Sequence, residues 1–305
     1  LSANSKTNKA SSLSFENYKS LDRVQHTTSH SFLTNKNQIK KSNAFVYSTF
    51  CPYTTKKMGN DNGDHPLISA CCNTQPIQAE YTPVGKKFTL GSDLECYIVG
   101  DKHAKASIIY IYDIFAKHPN AYQGCDILAN SGFRVIMPDW FRGDVVTMEM
   151  LQDKDRFTQF IQTKGNYAVM EKDINAVKDY LMEKEGFSSI FSIGFCWGAK
   201  IVMNIADKNP FIKGGALVHP SLLEHSDFVN CKVPIILLPS MNEYDMAPEY
   251  ETLKAKPFGH KCFHQRFEDM THGWCAARGE WNNPLVAARA NEAFTIVVKN
   301  FKALI

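Results

Sequence analysis

A cysteine flanked by two glycines is the side chain of this sequence best suited to nucleophilic chemistry. Residues 194–198 read Gly-Phe-Cys-Trp-Gly, which fits G-x-C-x-G, the thiol version of the G-x-S-x-G turn that presents a nucleophilic serine. An apolar run precedes this turn and a helix-forming run follows it, so Cys196 is expected where a strand turns sharply into a helix. A helix N-terminus favours the thiolate. The alternative interpretation is a buried structural cysteine in an ordinary turn.

A thiol is mostly protonated at neutral pH, so it needs a base, and the base needs an orienting carboxylate. His272 follows the last predicted strand, and Asp245 follows the strand predicted at Pro234–Pro239. Nucleophile, acid and histidine then occur in the chain order of an α/β-hydrolase triad. We therefore predict that Asp245 orients His272. Glu243 is a rival for the acid, and His219 is a rival base that precedes the acid in the chain.

The elements that must position these residues alternate along the chain from about residue 75. The continuous apolar run Ser107–Tyr112 is typical of a strand buried on both faces. Further strands are predicted at Phe88–Leu90, Leu94–Val99, Arg134–Pro138, Ser189–Gly194, Gly215–His219, Pro234–Pro239 and Phe263–Phe267. Helices are predicted at Asn120–Ser131, Tyr167–Lys184, Ala199–Asp207, Pro248–Ala255 and Pro284–Ala303. This alternation predicts one α/β domain, a mostly parallel sheet with helices on both faces. Reactive groups of such sheets collect beyond the carboxyl ends of the strands.

The first part of the sequence has a different composition from the rest. Residues 1–57 contain nine Lys or Arg and two acidic residues, are rich in Ser, Thr and Asn, and lack a sustained apolar period. We predict a disordered basic extension over residues 1–66 and a folded domain over 67–305. A loose tail, or sequence upstream of an initiator at Met58, competes with a mitochondrial transit segment as the interpretation.

The charge distribution and the cysteines of the sequence indicate the cellular compartment and the classes of binding partner to expect. The nine cysteines are odd in number and include no CxxC pair, which is typical of a reduced intracellular chain. No apolar run approaches the ~20 residues that span a bilayer, and no secretory segment is present. We expect a cytoplasmic protein, or a mitochondrial one if residues 1–57 act as a transit segment. Beyond those residues nothing favours nucleic acid or a membrane as a partner.

With these residues in hand, the sequence resembles the eukaryotic branch of the dienelactone hydrolase family over residues 70–304. The motifs that carry the resemblance are Gly-Phe-Cys-Trp-Gly at 194–198, Asp-Ile-Phe at 113–115, Pro-Asp-Trp-Phe-Arg-Gly-Asp at 138–144, His-Gly-Trp at 272–274, Cys-Cys at 71–72 and Tyr-Thr-Pro-x-Gly-Lys at 81–86. It implies an α/β-hydrolase fold and hydrolysis of dienelactones or related small esters, without cofactor or metal. We expect a monomer or weak dimer whose partner is its small ester or lactone substrate.

The resemblance also implies roles for individual residues. It supports Cys196 as nucleophile, Asp245 as orienter and His272 as base. The backbone N–H groups of Trp197 and Ile114 would form the oxyanion hole.

Three departures from the bacterial pattern carry further expectations. Asp113 stands where those enzymes have a Glu that modulates the thiol; the alternative is a carboxylate that caps a turn. Ala116 replaces the usual Gly. Arg142 and Arg278 lie near, but not at, the positions of two arginines that bind the substrate carboxylate, and each could instead be a solvated surface residue. Trp274 is expected to line the substrate pocket or to lie in the core.

Two other classes of protein remain open at this stage. A glutamine amidotransferase-like or peptidase-like thiol enzyme also uses G-x-C-x-G, but it needs His and Glu two residues apart, and Gly273-Trp274 follows His272. A thiol hydrolase of small thioesters or amides is a related alternative. The non-enzymatic alternative is an interaction protein with an α/β-hydrolase fold and no turnover.

Overall fold

The structure, a computed structural model, describes residues 74–305. The predictions for the extension over residues 1–66, for a domain start at residue 67 and for the Cys71-Cys72 pair lie outside this part of the chain.

The sheet of the described region has eight strands in the order β1-β2-β4-β3-β5-β6-β7-β8. β2 is antiparallel to β1 and to β4, whereas all other neighbours are parallel. The strands are β1 Lys86–Leu90, β2 Leu94–Val99, β3 Ser107–Ile111, β4 Arg134–Pro138, β5 Ile190–Phe195, β6 Gly215–Val218, β7 Ile235–Leu238 and β8 Phe263–His264. Every predicted strand is therefore present, with bounds that differ by a few residues.

Eight α-helices connect or flank these strands in the described region. They are α1 Pro119–Asn130, α2 Met148–Gln152, α3 Lys154–Thr163, α4 Tyr167–Asp179, α5 Trp197–Lys208, α6 His225–Asn230, α7 Ala247–Lys254 and α8 Pro284–Lys302. α4 continues as a π-helical turn over Tyr180–Lys184, and a 3₁₀ turn covers Gly259–Lys261. None of the described helices combines the length and the apolar character that crossing a membrane would require.

The register of the central strands brings the predicted reactive positions together. β3, β5, β6 and β7 are buried along their whole length, as expected for apolar strands covered on both faces. Ile111 pairs with Gly194, and Phe195 pairs with Val218. Because these strands run parallel, the segments that follow them emerge at the same edge of the sheet.

Helices cover both faces of this sheet. Phe191 of β5 stacks on Phe301 of α8, with ring centroids 4.4 Å apart. Alternate residues of a strand face opposite sides, and a Cβ at Gly194 would collide with the backbone of Gly198 in the first turn of α5. α8 and α5 therefore lie on opposite faces. This is an α/β-hydrolase fold, which confirms the predicted fold class.

Candidate active site

The turn that carries Cys196 is shaped by its two glycines. Cys196 joins β5 to α5 with φ 52° and ψ −118°, a strained conformation for a residue with a side chain. A Cβ at Gly198 would lie 2.5 Å from the carbonyl oxygen of Ile111 and 2.7 Å from that of Tyr112. A Cβ at Gly194 would collide with Gly198 itself. Only glycines allow the chain to double back this closely, so the predicted strand-to-helix turn is confirmed.

A buried carboxylate holds the imidazole of His272. Nδ1 of His272 lies 2.7 Å from Oε1 of Glu243, and both side chains are fully buried. Glu243 also accepts hydrogen bonds from the backbone N–H of Ser240 and, at 3.0 Å, from its hydroxyl. The backbone N–H of His272 donates to Oδ1 of Asn242 at 2.7 Å. The loop after β7 therefore fixes both the position of the histidine and the orientation of its ring.

The prediction that Asp245 orients His272 is wrong. The side chain of Asp245 is exposed, and its Oδ1 accepts a 3.0 Å hydrogen bond from the backbone N–H of Ala247, the first residue of α7. A carboxylate at the start of a helix satisfies an N–H that lacks an intrahelical partner. The loop turns Glu243 inward and Asp245 outward, so Glu243, the rival candidate for the acid, holds the histidine.

The charge state of His272 is set by competing effects. Burial by itself lowers the pKa of His272, but the negative charges of a Cys196 thiolate and of the Glu243 carboxylate raise it to about 9. Nδ1 faces Glu243, and the other ring nitrogen, Nε2, has no hydrogen-bond partner within residues 74–305. The Glu243 carboxylate therefore favours the protonated form of His272.

The rival base, His219, packs against His272 and has no access to solvent. Its ring lies 5.0 Å from the ring of His272 in an edge-on arrangement. Neither of its ring nitrogens has a hydrogen-bond partner among the described residues. Burial, and then the charge of His272, hold the pKa of His219 well below its usual range. It is therefore neutral at neutral pH.

Asp113 anchors the turn that follows β3. Its Oδ1 accepts a 2.9 Å hydrogen bond from the N–H of Phe115, and its Oδ2 accepts one of 3.1 Å from the N–H of Ala277. Burial raises the pKa of Asp113, although these bonds oppose the shift. Both carboxylate oxygens of Asp113 accept hydrogen bonds from backbone N–H groups. This favours a carboxylate that caps the turn over one that modulates the thiol. In the same turn Ala116 has φ 59°, a region that favours glycine.

Arg142 is held by acidic side chains of the protein itself. Its guanidinium donates to Oδ2 of Asp93 through Nε and to Oδ2 of Asp173 through Nη1, both at 2.8 Å. These residues line a cavity of about 510 Å³ whose walls include none of the residues at positions 196, 243 and 272. Because its planar fork already binds two carboxylates, the contacts of Arg142 do not support the predicted binding of a substrate carboxylate.

Arg278 and Trp274 lie in the interior. Nε of Arg278 donates to the carbonyl oxygen of Thr74 at 2.6 Å, and its guanidinium carbon lies 4.7 Å from the ring centroid of Phe115. Trp274 packs against the His219 ring at 5.2 Å and is 2% exposed. Through these contacts Arg278 holds the chain near Thr74 against the Phe115 ring. Trp274 lies in the core, which was the alternative to a position in the substrate pocket. The contacts of neither residue support the predicted substrate binding.

The metal-binding side chains and the cysteines of the described region are the remaining reactive groups. Among residues 74–305, no group of three or more His, Cys, Asp or Glu side chains is arranged to hold a metal ion. None of the six cysteines in this range forms a disulfide.

Comparison with known proteins defines the family to which this site belongs. The sequence profile of the dienelactone hydrolase family matches residues 94–305. The chain belongs to the dienelactone hydrolase family. The predicted membership is thereby confirmed, as is the predicted class of carboxylic ester hydrolase.

Individual relatives of this dienelactone hydrolase family member agree with the assignment. The chain is 30% identical over 253 residues to an uncharacterized AIM2 family protein of Schizosaccharomyces pombe, covering 78% of this chain and 100% of the relative. It is 24% identical over 220 residues to the human carboxymethylenebutenolidase homolog, covering 70% and 89%. A crystal structure of a putative dienelactone hydrolase from Klebsiella pneumoniae superposes with a TM-score of 0.54 at 17% identity, covering 70% and 98%, and supports the fold.

Two residues of this family member's site were not found from the sequence. Arg266 donates to the carbonyl oxygens of Ser240, Glu243 and Tyr244, so it clamps the loop that carries the acid. Ser221 places its hydroxyl 3.3 Å from Sγ of Cys196. The pairing of β5 with β6 is the signal that could have located Ser221, because the segment after β6 must emerge beside the turn that carries Cys196.

Proposed function

We propose that this chain hydrolyses small carboxylic esters or lactones through a thioester acyl-enzyme formed on Cys196. The observation that carries the proposal is the 2.7 Å contact between Nδ1 of His272 and the buried Glu243 carboxylate, which leaves Nε2 as the ring nitrogen that can take a proton from Cys196. This is the order of groups that nucleophilic acyl transfer needs: a carboxylate that orients a base, and a base that handles the proton of the nucleophile.

The first half of the reaction forms the acyl-enzyme. The Cys196 proton passes to Nε2 of His272, and the thiolate attacks the carbonyl carbon of the substrate. The tetrahedral intermediate collapses when the C–O bond breaks and the imidazolium protonates the leaving oxygen. In an open-chain ester the alcohol departs, whereas in a lactone it stays tethered as a hydroxyl group.

In this proposal the backbone N–H groups of Trp197 and Ile114 stabilise the oxyanion. Trp197 is the first residue of α5, so its N–H has no intrahelical acceptor. Ile111 and Gly194 are register partners, and Ile114 and Trp197 each lie three residues further along. Both N–H groups therefore belong to the same edge of the sheet as Cys196. A well-aligned donor of this kind contributes about 3 kcal/mol to the transition state.

The second half releases the acid. His272, now neutral, takes a proton from water, the resulting hydroxide attacks the thioester carbonyl, and the C–S bond breaks. The thiolate and the imidazolium are regenerated together. Burial of Glu243 and His272 keeps the proton on this path, since no other described side chain bonds to Nδ1.

Turnover of p-nitrophenyl acetate and of a dienelactone by the wild type, Cys196→Ala and His272→Ala tests the proposal. Cys231→Ala is the matched control, because Cys231 is another buried cysteine, and its Sγ contacts the carbonyl oxygen of Val233 at 3.2 Å. We expect both site variants to lose turnover by at least about 10³-fold, while Cys231→Ala keeps it.

Mass spectrometry of the quenched reaction supplies a second readout. A single acetyl group on the peptide containing Cys196 is the expected result. Unchanged turnover in Cys196→Ala would overturn the proposal, as would acetylation confined to other residues. Absence of turnover in the wild type with both substrates would favour the interaction-protein alternative.

A further inference from the structure

The end of β6 and the segment that follows it form hydrogen bonds with the backbone N–H and the backbone carbonyl of Cys196. The N–H of Cys196 donates to the carbonyl oxygen of Val218 at 3.1 Å, and the N–H of Ser221 donates to the carbonyl oxygen of Cys196 at 3.0 Å. Ser221 is itself 5% exposed. Two backbone hydrogen bonds therefore fix a buried serine next to the nucleophile.

The side chain of Ser221 contacts the sulfur directly. Its Oγ lies 3.3 Å from Sγ of Cys196, within the range of hydrogen bonds that involve sulfur. When the cysteine is a thiol, either atom can donate. A thiolate has no proton, so in the reactive state the hydroxyl of Ser221 must be the donor.

We propose that Ser221 is a catalytic residue that donates a hydrogen bond to the Cys196 thiolate and thereby extends the pH range over which the nucleophile exists. This inference rests on the proposed function, in which Cys196 is the attacking group. The Cys196 proton goes to His272, and Ser221 keeps its own proton throughout. The hydrogen bond from the Ser221 hydroxyl stabilises the Cys196 thiolate of the resting enzyme more than it stabilises the acyl-enzyme. The reason is that the sulfur of a thioester is uncharged and a weak acceptor.

The proposal predicts two opposite effects of removing the hydroxyl. Ser221→Ala has less thiolate at low pH, because one interaction that favours the charged form is lost. At high pH, where the cysteine is fully ionised, the remaining thiolate is the stronger nucleophile, because no donor withdraws its charge. The pH profiles of the variant and the wild type should therefore cross.

The experiment is the rate of iodoacetamide labelling at Cys196 as a function of pH, followed on the Cys196 peptide by mass spectrometry. We expect the midpoint of Ser221→Ala to move up by about one pH unit, which leaves roughly tenfold less thiolate below the midpoint. Ser221→Thr retains a hydroxyl and should keep the midpoint of the wild type. Ser192→Ala is the matched control, since Ser192 is a buried serine of β5 that donates to the Ile109 carbonyl oxygen at 3.2 Å.

The outcomes separate this inference from the proposed function. A wild-type midpoint near the ~8.5 of an ordinary thiol would overturn both. A low wild-type midpoint that stays unchanged in Ser221→Ala would overturn the role of Ser221 alone. A uniform loss of labelling rate at every pH in Ser221→Ala would also overturn it, because that pattern reflects disturbed packing and not a lost donor.

Discussion

Oε1 of Glu243 and Nδ1 of His272 lie 2.7 Å apart in the interior, although 29 positions separate the two residues in the sequence. The carboxylate is held in turn by the backbone N–H and the hydroxyl of Ser240. Asp245, two residues further on, faces outward and accepts a hydrogen bond from the backbone N–H of Ala247, the first residue of α7. The identity of the acid is thus decided by how the loop after β7 turns, and the two candidates can be distinguished by mutation.

Replacing Glu243 by Gln should reduce kcat/KM by on the order of 10²-fold or more, with the fold retained. Gln keeps the size of the side chain but removes the negative charge that stabilises the imidazolium, and its amide can present the wrong group to Nδ1. The measurement is steady-state hydrolysis of an ester together with thermal unfolding.

Asp245→Asn is the matched variant for that experiment. The amide oxygen of Asn can accept the same hydrogen bond from Ala247, so stability should change by less than about 1 kcal/mol and kcat/KM by less than about twofold. The opposite pattern, in which Asp245→Asn abolishes hydrolysis and Glu243→Gln does not, would contradict the geometry described for this loop.

The pH dependence of kcat/KM should report the imidazolium of His272. Burial lowers the pKa of His272, but Cys196 and Glu243 raise it to about 9. The proton on the imidazolium is needed for a poor leaving group, so the alkaline limb for an alkyl ester should fall near that pH. In Glu243→Gln the favourable charge is lost, and the limb should move to lower pH by about one unit. An alkaline limb at the same pH in both proteins would show that Glu243 does not act on the imidazolium.

The strands and the strand-to-helix turn at Cys196 could be predicted from the sequence because they depend on local patterns. Continuous apolar runs located β3 and β5, and G-x-C-x-G located the strained residue between β5 and α5. The short helices α2, α3 and α6 were missed. α3 has its buried side chains at Phe157 and Phe160 only, so its apolar period is too brief to stand out.

The partners of the site residues could not be predicted in the same way. Glu243 and Asp245 both follow β7, and side-chain direction in a loop depends on backbone turns that no periodicity encodes. Arg142 and Arg278 have the right chemistry for a carboxylate, but long-range contacts with Asp93, Asp173 and Thr74 occupy them. Such contacts are set by tertiary packing, which explains why residue type and chain order did not distinguish Glu243 from Asp245 as the partner of His272.

Arg266 should act as a positioning residue through the acid loop. Its guanidinium donates to the carbonyl oxygens of Ser240, Glu243 and Tyr244. Arg266→Met keeps the aliphatic stem but frees these carbonyls, so Glu243 should hold His272 less tightly. We expect roughly a tenfold fall in kcat, little change in KM and an alkaline limb shifted to lower pH.

Arg289→Met is the control for Arg266→Met. Arg289 lies on α8 and is partly exposed. It forms ion pairs with Glu292 of the same helix and with Asp269 outside it. The substitution Arg289→Met should alter stability slightly and leave kcat and the pH profile of hydrolysis unchanged. A loss of stability in Arg266→Met with an unchanged alkaline limb would assign Arg266 a structural role only.

The neutral, buried His219 should make the folded state sensitive to mild acid. Burial and the charge of His272 hold the pKa of His219 well below its usual range in the folded protein. The unfolded chain binds a proton on this residue near pH 6.5, so stability should fall by up to about 1.4 kcal/mol per pH unit below that value. The raised pKa of His272 adds no slope there, because its stabilisation is fully present below pH 6.5. His264, whose pKa burial also lowers, contributes equally to both proteins in the comparison.

His219→Phe should therefore flatten the dependence of unfolding free energy on pH between about 5.5 and 7.5. Phe keeps an aromatic ring against Phe195 and Trp274, and any packing penalty shifts the whole curve without changing its slope. Urea unfolding at several pH values measures the slope directly. If the two slopes are equal, His219 is protonated in the folded state or has a partner in solution, and the neutral assignment for this residue fails.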